Sequence, residues 1–283
     1  MRTIAVIPAR FRSQRLPGKP LADIAGRPMV EHVYRRVQQA ALVDRVLVAT
    51  DDERVLEVVV SFGGECVMTS PHHPSGTDRI AEATASLDTE LVANVQGDEP
   101  LISPEAIDQA IAACRAGGGR AITTLRTAIR SKEELWNPSI VKVVTDRRGF
   151  ALYFSRRPIP FVSDAGGIAE EPAHPAIEDG RSTWRGHVFY YKHIGLYVYP
   201  KRLLHKLTRI KPSQLERLEK LEQLRALENG IPILVKETPR DSISVDTPED
   251  LERVQKVFSR DRSGEWRQGG KETAGVRAES QDS

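Results

Sequence analysis

Short apolar runs alternate with amphipathic segments along the first 116 residues. The runs 4–7, 45–50 and 91–95 are rich in β-branched and small apolar residues, as is typical of strands buried on both faces of a parallel sheet. Residues 28–41 and 52–62 place apolar side chains at helical spacing. This alternation predicts an α/β protein with a three-layer α/β/α architecture.

The second half of the chain predicts a small β-rich insertion. Residues 140–144 and 150–154 have the pattern of a hairpin, and residues 188–199 that of a strand rich in aromatic side chains. Residues 162–187 are rich in Gly, Pro, Ala and acids and fit no element, so we expect a mobile loop there. We therefore expect a β-rich subdomain inserted into the α/β sheet.

A leucine-rich segment predicts one helix over residues 213–229. Leucine stands at every third position, and Glu222 falls on the leucine-rich side. A carboxylate on that side needs a ligand or a partner such as Arg225 or Lys220. The sequence leaves both interpretations open.

The end of the folded chain combines a helix start with one residue that capping does not explain. The sequence has a strong signal for the start of a helix: Thr247 as N-cap, Pro248 at the first helical position and Asp250 at the third. Asp246 lies just outside this cap. From residue 259 the chain is polar, and we expect a disordered tail over 259–283.

Four cations and no acid lie in the segment directly after the first predicted strand. They are Arg10, Arg12, Arg15 and Lys19, and Gly18 among them lets the backbone approach a ligand closely. Ligands of open α/β sheets bind beyond the carboxyl ends of the strands. Because arginine forks and lysine point charges both satisfy phosphate oxygens, this loop predicts a polyanion site. It matches neither the Walker nor the dinucleotide glycine motif.

Polar residues also follow the other predicted strands. Thr50 and Asp51 end the second strand, and Ser75-Gly76-Thr77 offers hydroxyls and backbone amides at a helix start, suited to a pyrimidine edge or a phosphate. Asp98 follows the 91–95 strand. A carboxylate there is well placed to hold Mg²⁺ against a triphosphate, since hard cations prefer carboxylate and phosphate oxygens.

Composition narrows the class of protein. The 283 residues are 40% hydrophobic, enough for a sizeable core, and the net charge of +2 gives no case for nucleic-acid binding. No apolar run approaches about 18 residues, so we expect no membrane span. The first residues enter a strand at once, which predicts no signal peptide and a cytoplasmic protein. Cys66 and Cys114 are expected to be free buried thiols.

Several strings of the sequence resemble those of the sugar-acid cytidylyltransferases, in the same order. They are Arg-x-x-Ser-x-Arg-Leu-Pro-Gly-Lys-Pro from residue 10, Ser-Gly-Thr-Asp-Arg from 75, Asn-Val-Gln-Gly-Asp-Glu-Pro from 94, Tyr-Phe-Ser-Arg from 153, His-Ile-Gly-Leu-Tyr from 193 and Leu-Glu-Gln-Leu-Arg from 221. The resemblance extends from residue 3 to about 257. It implies a nucleotide-diphospho-sugar transferase-like fold and the transfer of CMP from CTP to a 3-deoxy-ulosonic acid, with release of pyrophosphate.

The resemblance also implies roles for individual residues. Mg²⁺ would be held by Asp98 and Asp246, and the catalytic set would add Arg10 and Lys19. The implied nucleotide contacts are Ala9, Arg10, Lys19, Thr50, Asp51, Ser75, Gly76, Thr77 and Arg79. The implied sugar-acid contacts are Arg15, Gln96, Arg156, His193, Glu222 and Gln223.

The same resemblance suggests how one domain, residues 1–258, is divided by role. Residues 1–130 would mainly bind CTP, residues 131–240 would bind the sugar acid and form a homodimer through aromatic strands, and residues 241–258 would close the domain. The implied acceptor is 3-deoxy-manno-octulosonate (Kdo), for lipopolysaccharide biosynthesis.

Three alternatives remain open from the sequence. The acceptor could be sialic acid or an 8-amino analogue of Kdo, which the sugar-facing residues would decide. The chain could be a non-catalytic nucleotide-binding regulator. A sensor can dispense with a metal pair, so the presence of both Asp98 and Asp246 counts against this alternative. A nucleic-acid-binding module would explain the arginines, but the balanced charge disfavours it.

Overall fold

The computed structural model describes residues 1–11, 15–161, 177–178, 181–184, 187–188 and 190–262. The strands are β1 (Thr3–Ala9), β2 (Asp23–Ile24), β3 (Arg27–Pro28), β4 (Arg45–Thr50), β5 (Cys66–Met68), β6 (Leu91–Asn94), β7 (Ile122–Ala128), β8 (Lys142–Thr145), β9 (Ala151–Ser155), β10 (Ile177–Glu178), β11 (Arg181–Trp184), β12 (His187–Val188), β13 (Tyr191–Pro200) and β14 (Ile233–Glu237). The helices are α1 (Met29–Gln38), α2 (Glu53–Ser61), α3 (Gly76–Thr84), α4 (Pro104–Ala116), α5 (Lys132–Trp136), α6 (Lys201–Thr208), α7 (Gln214–Glu219), α8 (Gln223–Glu228) and α9 (Pro248–Arg262).

One large sheet organises the described chain, with the strand order β14-β7-β13-β6-β1-β4-β5. β1 pairs in parallel with both β4 and β6, and β4 pairs in parallel with β5. β13 enters antiparallel between β6 and β7. The predicted parallel half is therefore confirmed, and β13 makes the complete sheet mixed.

Helices cover both faces of this sheet. On one face, α1, α2 and α4 bury apolar side chains in one core with Ala5 and Ile7 of β1. On the other, α3, α6 and α8 share a core with Ile4 and Val6 of the same strand. Successive residues of a strand point to opposite faces, so β1 supplies both cores. The predicted three-layer architecture is confirmed.

The predicted insertion joins the main sheet directly. β8 and β9 form the predicted hairpin, and β8 also pairs with β13 through Lys142 and Lys192. Strands β10, β11 and β12 form a separate small antiparallel sheet. The predicted strand over 188–199 is wrong at its start, because the described strand begins at Tyr191 and His187–Val188 belongs to the small sheet. The mobile loop predicted over 162–187 lies largely outside the described residues.

The single helix predicted over residues 213–229 is wrong. The structure has two helices, α7 and α8, separated at Lys220, whose φ of 55° is left-handed. A leucine at every third position drifts across a helical wheel, so one straight helix could not bury them all on one face. The break leaves Leu218 exposed and buries Leu221 and Leu224.

The last helix closes the domain. Thr247 and Asp250 form the predicted reciprocal cap, since the Asp250 amide donates to Thr247 Oγ1 and the Thr247 amide donates to Asp250 Oδ2. Val254 of α9 packs with Val245 on Ile24 and Met29. The tail predicted from residue 259 is wrong for its first residues: α9 continues to Arg262, because no Gly or Pro interrupts it. Residues 263–283 lie outside the described chain.

No helix within the described residues is long and apolar enough to span a bilayer.

Candidate active site

Three parallel strands, β1, β4 and β6, bring the predicted loops to one edge of the sheet. Beyond this edge lie the segments that begin with Arg10, Asp51 and Val95. The approach is close: a Cβ on Gly97 would lie 2.8 Å from the Pro8 carbonyl oxygen. Only glycine allows the loop that carries Asp98 to lie against the end of β1 in this way.

Two predicted carboxylates converge on one lysine ammonium at this edge. Lys19 Nζ donates to Asp98 Oδ2 at 2.6 Å and to Asp246 Oδ1 at 3.0 Å. Arg15 Nη2 lies 3.1 Å from the same Asp246 oxygen. The Val245 amide donates to the Asp98 carbonyl oxygen at 2.8 Å, which ties the closing segment to the loop after β6. Four residues from three parts of the chain thus form one charged cluster, which we call the carboxylate cluster.

Burial and pairing oppose each other in the carboxylate cluster. Burial alone would lower the pKa of Lys19, but Asp98 and Asp246 outweigh it and raise the pKa above its ordinary value. Burial would raise the pKa of Asp246, but Lys19 and Arg15 outweigh it and lower the pKa. Lys19 and Asp246 are therefore charged at neutral pH.

A second group of predicted residues lies beside the ends of β1 and β4. Arg79 is fully buried and its Nη2 donates to Asp51 Oδ2 at 2.8 Å. Thr50 Oγ1 donates to the Ala9 carbonyl oxygen at 2.7 Å. Arg10 Nη2 is buried with no hydrogen-bond partner among the described residues. Burial and the nearby Arg79 lower the pKa of Arg10, while the carboxylates of Asp51, Asp78 and Glu222 oppose this shift.

The Ser75-Gly76-Thr77 segment begins α3, as predicted. Ser75 is the N-cap and its Oγ accepts from the Asp78 amide at 3.1 Å. Thr77 Oγ1 donates to Glu222 Oε2 at 2.5 Å. The start of α3, predicted to contact a nucleotide, therefore meets Glu222, which was predicted to contact a sugar acid.

A cavity of about 380 Å³ lies next to the carboxylate cluster. Nine of the predicted site residues line it: Gly76, Thr77, Gln96, Asp98, Arg156, His193, Glu222, Gln223 and Asp246. Arg15 does not; it lines an adjoining cavity of about 570 Å³, which shares His193 and Asp246 with the first. The remaining predicted residues lie at the strand ends described above.

The polar side chains of the smaller cavity are held by neighbours on the sheet. Gln96 Nε2 donates to Asn94 Oδ1 at 3.0 Å. Arg156 Nε donates to the Glu219 carbonyl oxygen at 2.8 Å, at the end of α7. Burial raises the pKa of Glu222, although the hydrogen bond from Thr77 partly opposes this. Arg225, one of the two partners considered for Glu222, forms an ion pair with it, with Nη2 and Oε1 3.9 Å apart.

His193 is a neutral imidazole in this site. Burial lowers its pKa to about 3. Its Nε2 lies 2.9 Å from Thr124 Oγ1, and its ring meets Phe154 edge-on at 5.2 Å between centroids. His193 can therefore give or accept a hydrogen bond in the cavity but supplies no positive charge at neutral pH.

Sequence reasoning missed five polar residues that line the cavity: Asn94, Glu99, Tyr197, Tyr199 and Ser244. Tyr197 Oη is buried with no hydrogen-bond partner among the described residues. Burial and the neighbouring Asp98 raise the pKa of Glu99 to about 7. A signal existed for two of them, since Glu99 directly follows Asp98 and Tyr197 ends the string that starts at His193.

The carboxylate cluster has the donor set of a magnesium site completed by its substrate. Within the described residues no group of three or more His, Cys, Asp or Glu side chains could hold a metal ion. Mg²⁺, however, is typically held by one or two carboxylates, with phosphate oxygens and waters completing the octahedron. Asp98 and Asp246 already converge on one cation, so these residues fit that ion.

Comparison with known proteins identifies the family of this chain. The sequence profile of the family described as cytidylyltransferase matches residues 4–238. The chain is 52% identical over 255 residues to the 3-deoxy-manno-octulosonate cytidylyltransferase of Syntrophotalea carbinolica, covering 90% of this chain and 98% of that one. It is 50% identical over 254 residues to the enzyme of the same name from Geobacter sulfurreducens, covering 90% and 98%.

Solved structures extend the likeness to the fold. The structure of CMP:2-keto-3-deoxy-manno-octonic acid synthetase complexed with CTP matches with a TM-score of 0.81 at 40% identity, covering 92% of this chain and all of that one. A putative glucose-1-phosphate thymidylyltransferase from Bacillus anthracis, 15% identical, covers 95% of this chain and 98% of its own with a TM-score of 0.60 and shows the fold alone. The fold and the edge site thus define a nucleotidyltransferase. More narrowly, the chain belongs to the cytidylyltransferase family, among the 3-deoxy-manno-octulosonate cytidylyltransferases.

Proposed function

We propose that this protein activates Kdo with CTP, giving CMP-Kdo and pyrophosphate for lipopolysaccharide biosynthesis. The observation that carries the proposal is the position of the carboxylate cluster. Asp98 and Asp246, which both pair with Lys19, line a cavity with other polar side chains, and the segment that begins with Arg10 leaves the sheet at the same edge. A nucleotide triphosphate on one side and a polar acceptor on the other would meet at this cluster.

The nucleotide half of the site is built for a polyanion next to a pyrimidine. Arg10 and Lys19 hold the triphosphate and the leaving pyrophosphate, because both are cations of the segment that follows β1. Residues 75–77 offer backbone amides and hydroxyls at the start of α3, which suit the cytosine and ribose. Arg79 and Asp51 hold each other in place through a hydrogen bond. Together with Thr50 and Ala9 they form one wall of the nucleotide site.

Asp98 and Asp246 hold Mg²⁺ in this proposal. The ion would polarise the α-phosphate and favour ionisation of the attacking hydroxyl. The chain's own contribution is to aim both carboxylates at one point, which the pairing with Lys19 supports.

The acceptor half orients the sugar acid. Arg156 and Arg15 supply the positive charge that an acid substrate needs, and Gln96, Glu222 and Gln223 meet its hydroxyls. His193 adds a neutral hydrogen-bonding group.

With both substrates held, the anomeric C2 hydroxyl attacks the α-phosphorus in line. The hydroxyl loses its proton to solvent, a bond forms from the C2 oxygen to phosphorus, the bond to the β-phosphate oxygen breaks, and pyrophosphate leaves. No covalent enzyme intermediate is needed, so catalysis consists mainly of positioning and charge stabilisation.

We also propose a homodimer that covers a groove outside the site. The groove, of about 570 Å³, is lined mainly by apolar side chains of β8, β9 and β13 and by residues 159–160. Leu152 in it is 62% exposed, and nearby Phe161 is 80% exposed. Apolar side chains this exposed in one place favour a second copy as partner. Leu152→Asp should give a monomer by light scattering; an unchanged mass would contradict this.

The cytoplasmic location stays a prediction.

The test of the function is pyrophosphate release by purified protein with Mg²⁺ and CTP. Three parallel reactions contain Kdo, a sialic acid and no sugar, and an 8-amino analogue of Kdo extends the series. Release with Kdo alone supports the proposal. Release with a different acid transfers the activity to that acceptor. If no reaction releases pyrophosphate, an untested acceptor or a non-catalytic regulator is favoured.

A further inference from the structure

Lys142 is a buried cation that the proposed reaction does not use. It lies on β8, and its side chain is fully buried. Its Nζ donates to the carbonyl oxygens of Asn137 at 3.0 Å and Ile140 at 2.7 Å. It forms no salt bridge with a carboxylate of the described residues. A buried ammonium without an anionic partner is costly in free energy, so we expect this side chain to perform a role.

The backbone of residues 137–140, which accepts the hydrogen bonds of Lys142, also accepts one from Arg156. Arg156 Nη1 donates to the Pro138 carbonyl oxygen at 2.8 Å, between the two carbonyls that Lys142 holds. Its Nε and Nη2 donate to the carbonyl oxygens of Glu219, at 2.8 Å, and Lys220, at 3.4 Å. Three of the five guanidinium N–H groups are therefore used, which leaves two for a ligand in the cavity that Arg156 lines.

We propose that Lys142 is a positioning residue for Arg156, and through it for the carboxylate of the acceptor. It fixes the carbonyls of residues 137–140, which orient the guanidinium, and it places a second positive charge behind Arg156. The inference rests on the proposed function and adds to it: recognition of an acidic acceptor depends on a cation that does not touch the acceptor.

The charges around Lys142 leave its ammonium without a close partner. Arg156, directly after β9, repels it, and Ser155, its register neighbour on β9, donates to Glu219 Oε1 at 2.7 Å. On β13, its register neighbour Lys192 is held by Glu134 on α5 and by Asp241, at 2.6 and 2.7 Å.

Burial and Arg156 lower the pKa of Lys142 to about 8, while Glu219 on α7 opposes the shift. Lys142 is therefore charged at pH 7 and loses its charge as the pH rises above about 8. This gives a readout that needs no substitution. In the wild-type protein, the KM for the acceptor should rise several-fold between pH 7 and pH 9, and the KM for CTP should not follow it.

The first variant is Lys142→Met, which keeps the side-chain length and removes the charge and the donors. At pH 7 the KM for Kdo should rise by at least about tenfold, while the KM for CTP stays within about twofold. Lys132→Met, at an exposed position in α5, is the matched control and should behave as wild type. In a double-mutant cycle with Arg156→Met, Lys142→Met should add little, because the two residues act as one unit.

Several results would overturn the inference. An unchanged KM for Kdo in Lys142→Met, equal losses for both substrates, or full additivity with Arg156→Met would each do so. If Lys142→Met does not fold, the neutral donor in Lys142→Gln and the wild-type pH profile decide, and a flat profile contradicts the inference. A wild-type protein that releases no pyrophosphate with Kdo would instead refute the proposed function.

Discussion

Lys19 Nζ donates to Asp98 Oδ2 at 2.6 Å, although 79 residues separate them in the chain. The contact exists because β1 and β6 are parallel neighbours and their following loops leave the sheet at one edge. Asp246 reaches the same ammonium from the closing segment. An ammonium and a divalent cation prefer the same carboxylate oxygens, so a metal ion bound at this point would compete with Lys19, whose donors would then be free for phosphate oxygens.

Asp98→Asn and Asp246→Asn should each lower turnover by at least about a hundredfold, because each removes a charge at the reacting centre. Pyrophosphate release measures the loss, and thermal unfolding checks that the fold is intact. Asp88→Asn changes an exposed carboxylate and serves as the control. Near-normal turnover in either site variant would refute the metal assignment.

Lys19→Ala should weaken the binding of CTP more than that of CMP, because only the triphosphate carries the groups that the ammonium would hold. Calorimetry with both nucleotides gives the two affinities, and Lys206→Ala at an exposed position is the control. Equal losses for CTP and CMP would contradict a role at the terminal phosphates.

Glu222→Gln should raise the melting temperature at pH 7 while weakening Kdo binding. Burial raises the pKa of Glu222, so the folded state binds the proton more tightly than the unfolded state and stability falls as the pH rises above the unfolded pKa. The amide keeps an acceptor for Thr77 Oγ1 and removes this charge penalty. The stability gain over wild type should shrink as the pH falls towards 4.5, and a gain that does not depend on pH would contradict this origin.

Local sequence rules predict much of the sheet edge at which β1, β4 and β6 end. The apolar runs predicted β1, β4 and β6, and their parallel order alone places Ala9, Thr50 and Asp98 at one edge. The cap formed by Thr247 and Asp250 was also predictable, because capping is a local interaction. The family resemblance added the pairing of Asp98 with Asp246, which no local rule supplies.

Contacts between distant segments were beyond these rules. Thr77 and Glu222 are 145 residues apart, and their hydrogen bond depends on how α8 packs. The burial of Lys142 depends on two neighbouring strands, and the apolar run around it, residues 140–144, does not identify those strands. Periodicity reports which face of an element is apolar, and it does not report which element covers that face.

Lys220→Gly tests the helix break that the leucine pattern concealed. Lys220 ends α7 in the left-handed region, at φ 55° and ψ 44°, where a side chain costs about 1 kcal/mol and glycine costs nothing. The variant should therefore raise the free energy of unfolding by up to about 1 kcal/mol, measured by urea titration. Its carbonyl oxygen still accepts from Arg156, so the KM for Kdo should not change. Lys211→Gly, at an exposed position outside any helix, should be neutral or destabilising, because glycine there only adds chain entropy to the unfolded state. A loss of stability in Lys220→Gly would mean that residues 213–229 form the continuous helix that the sequence first suggests.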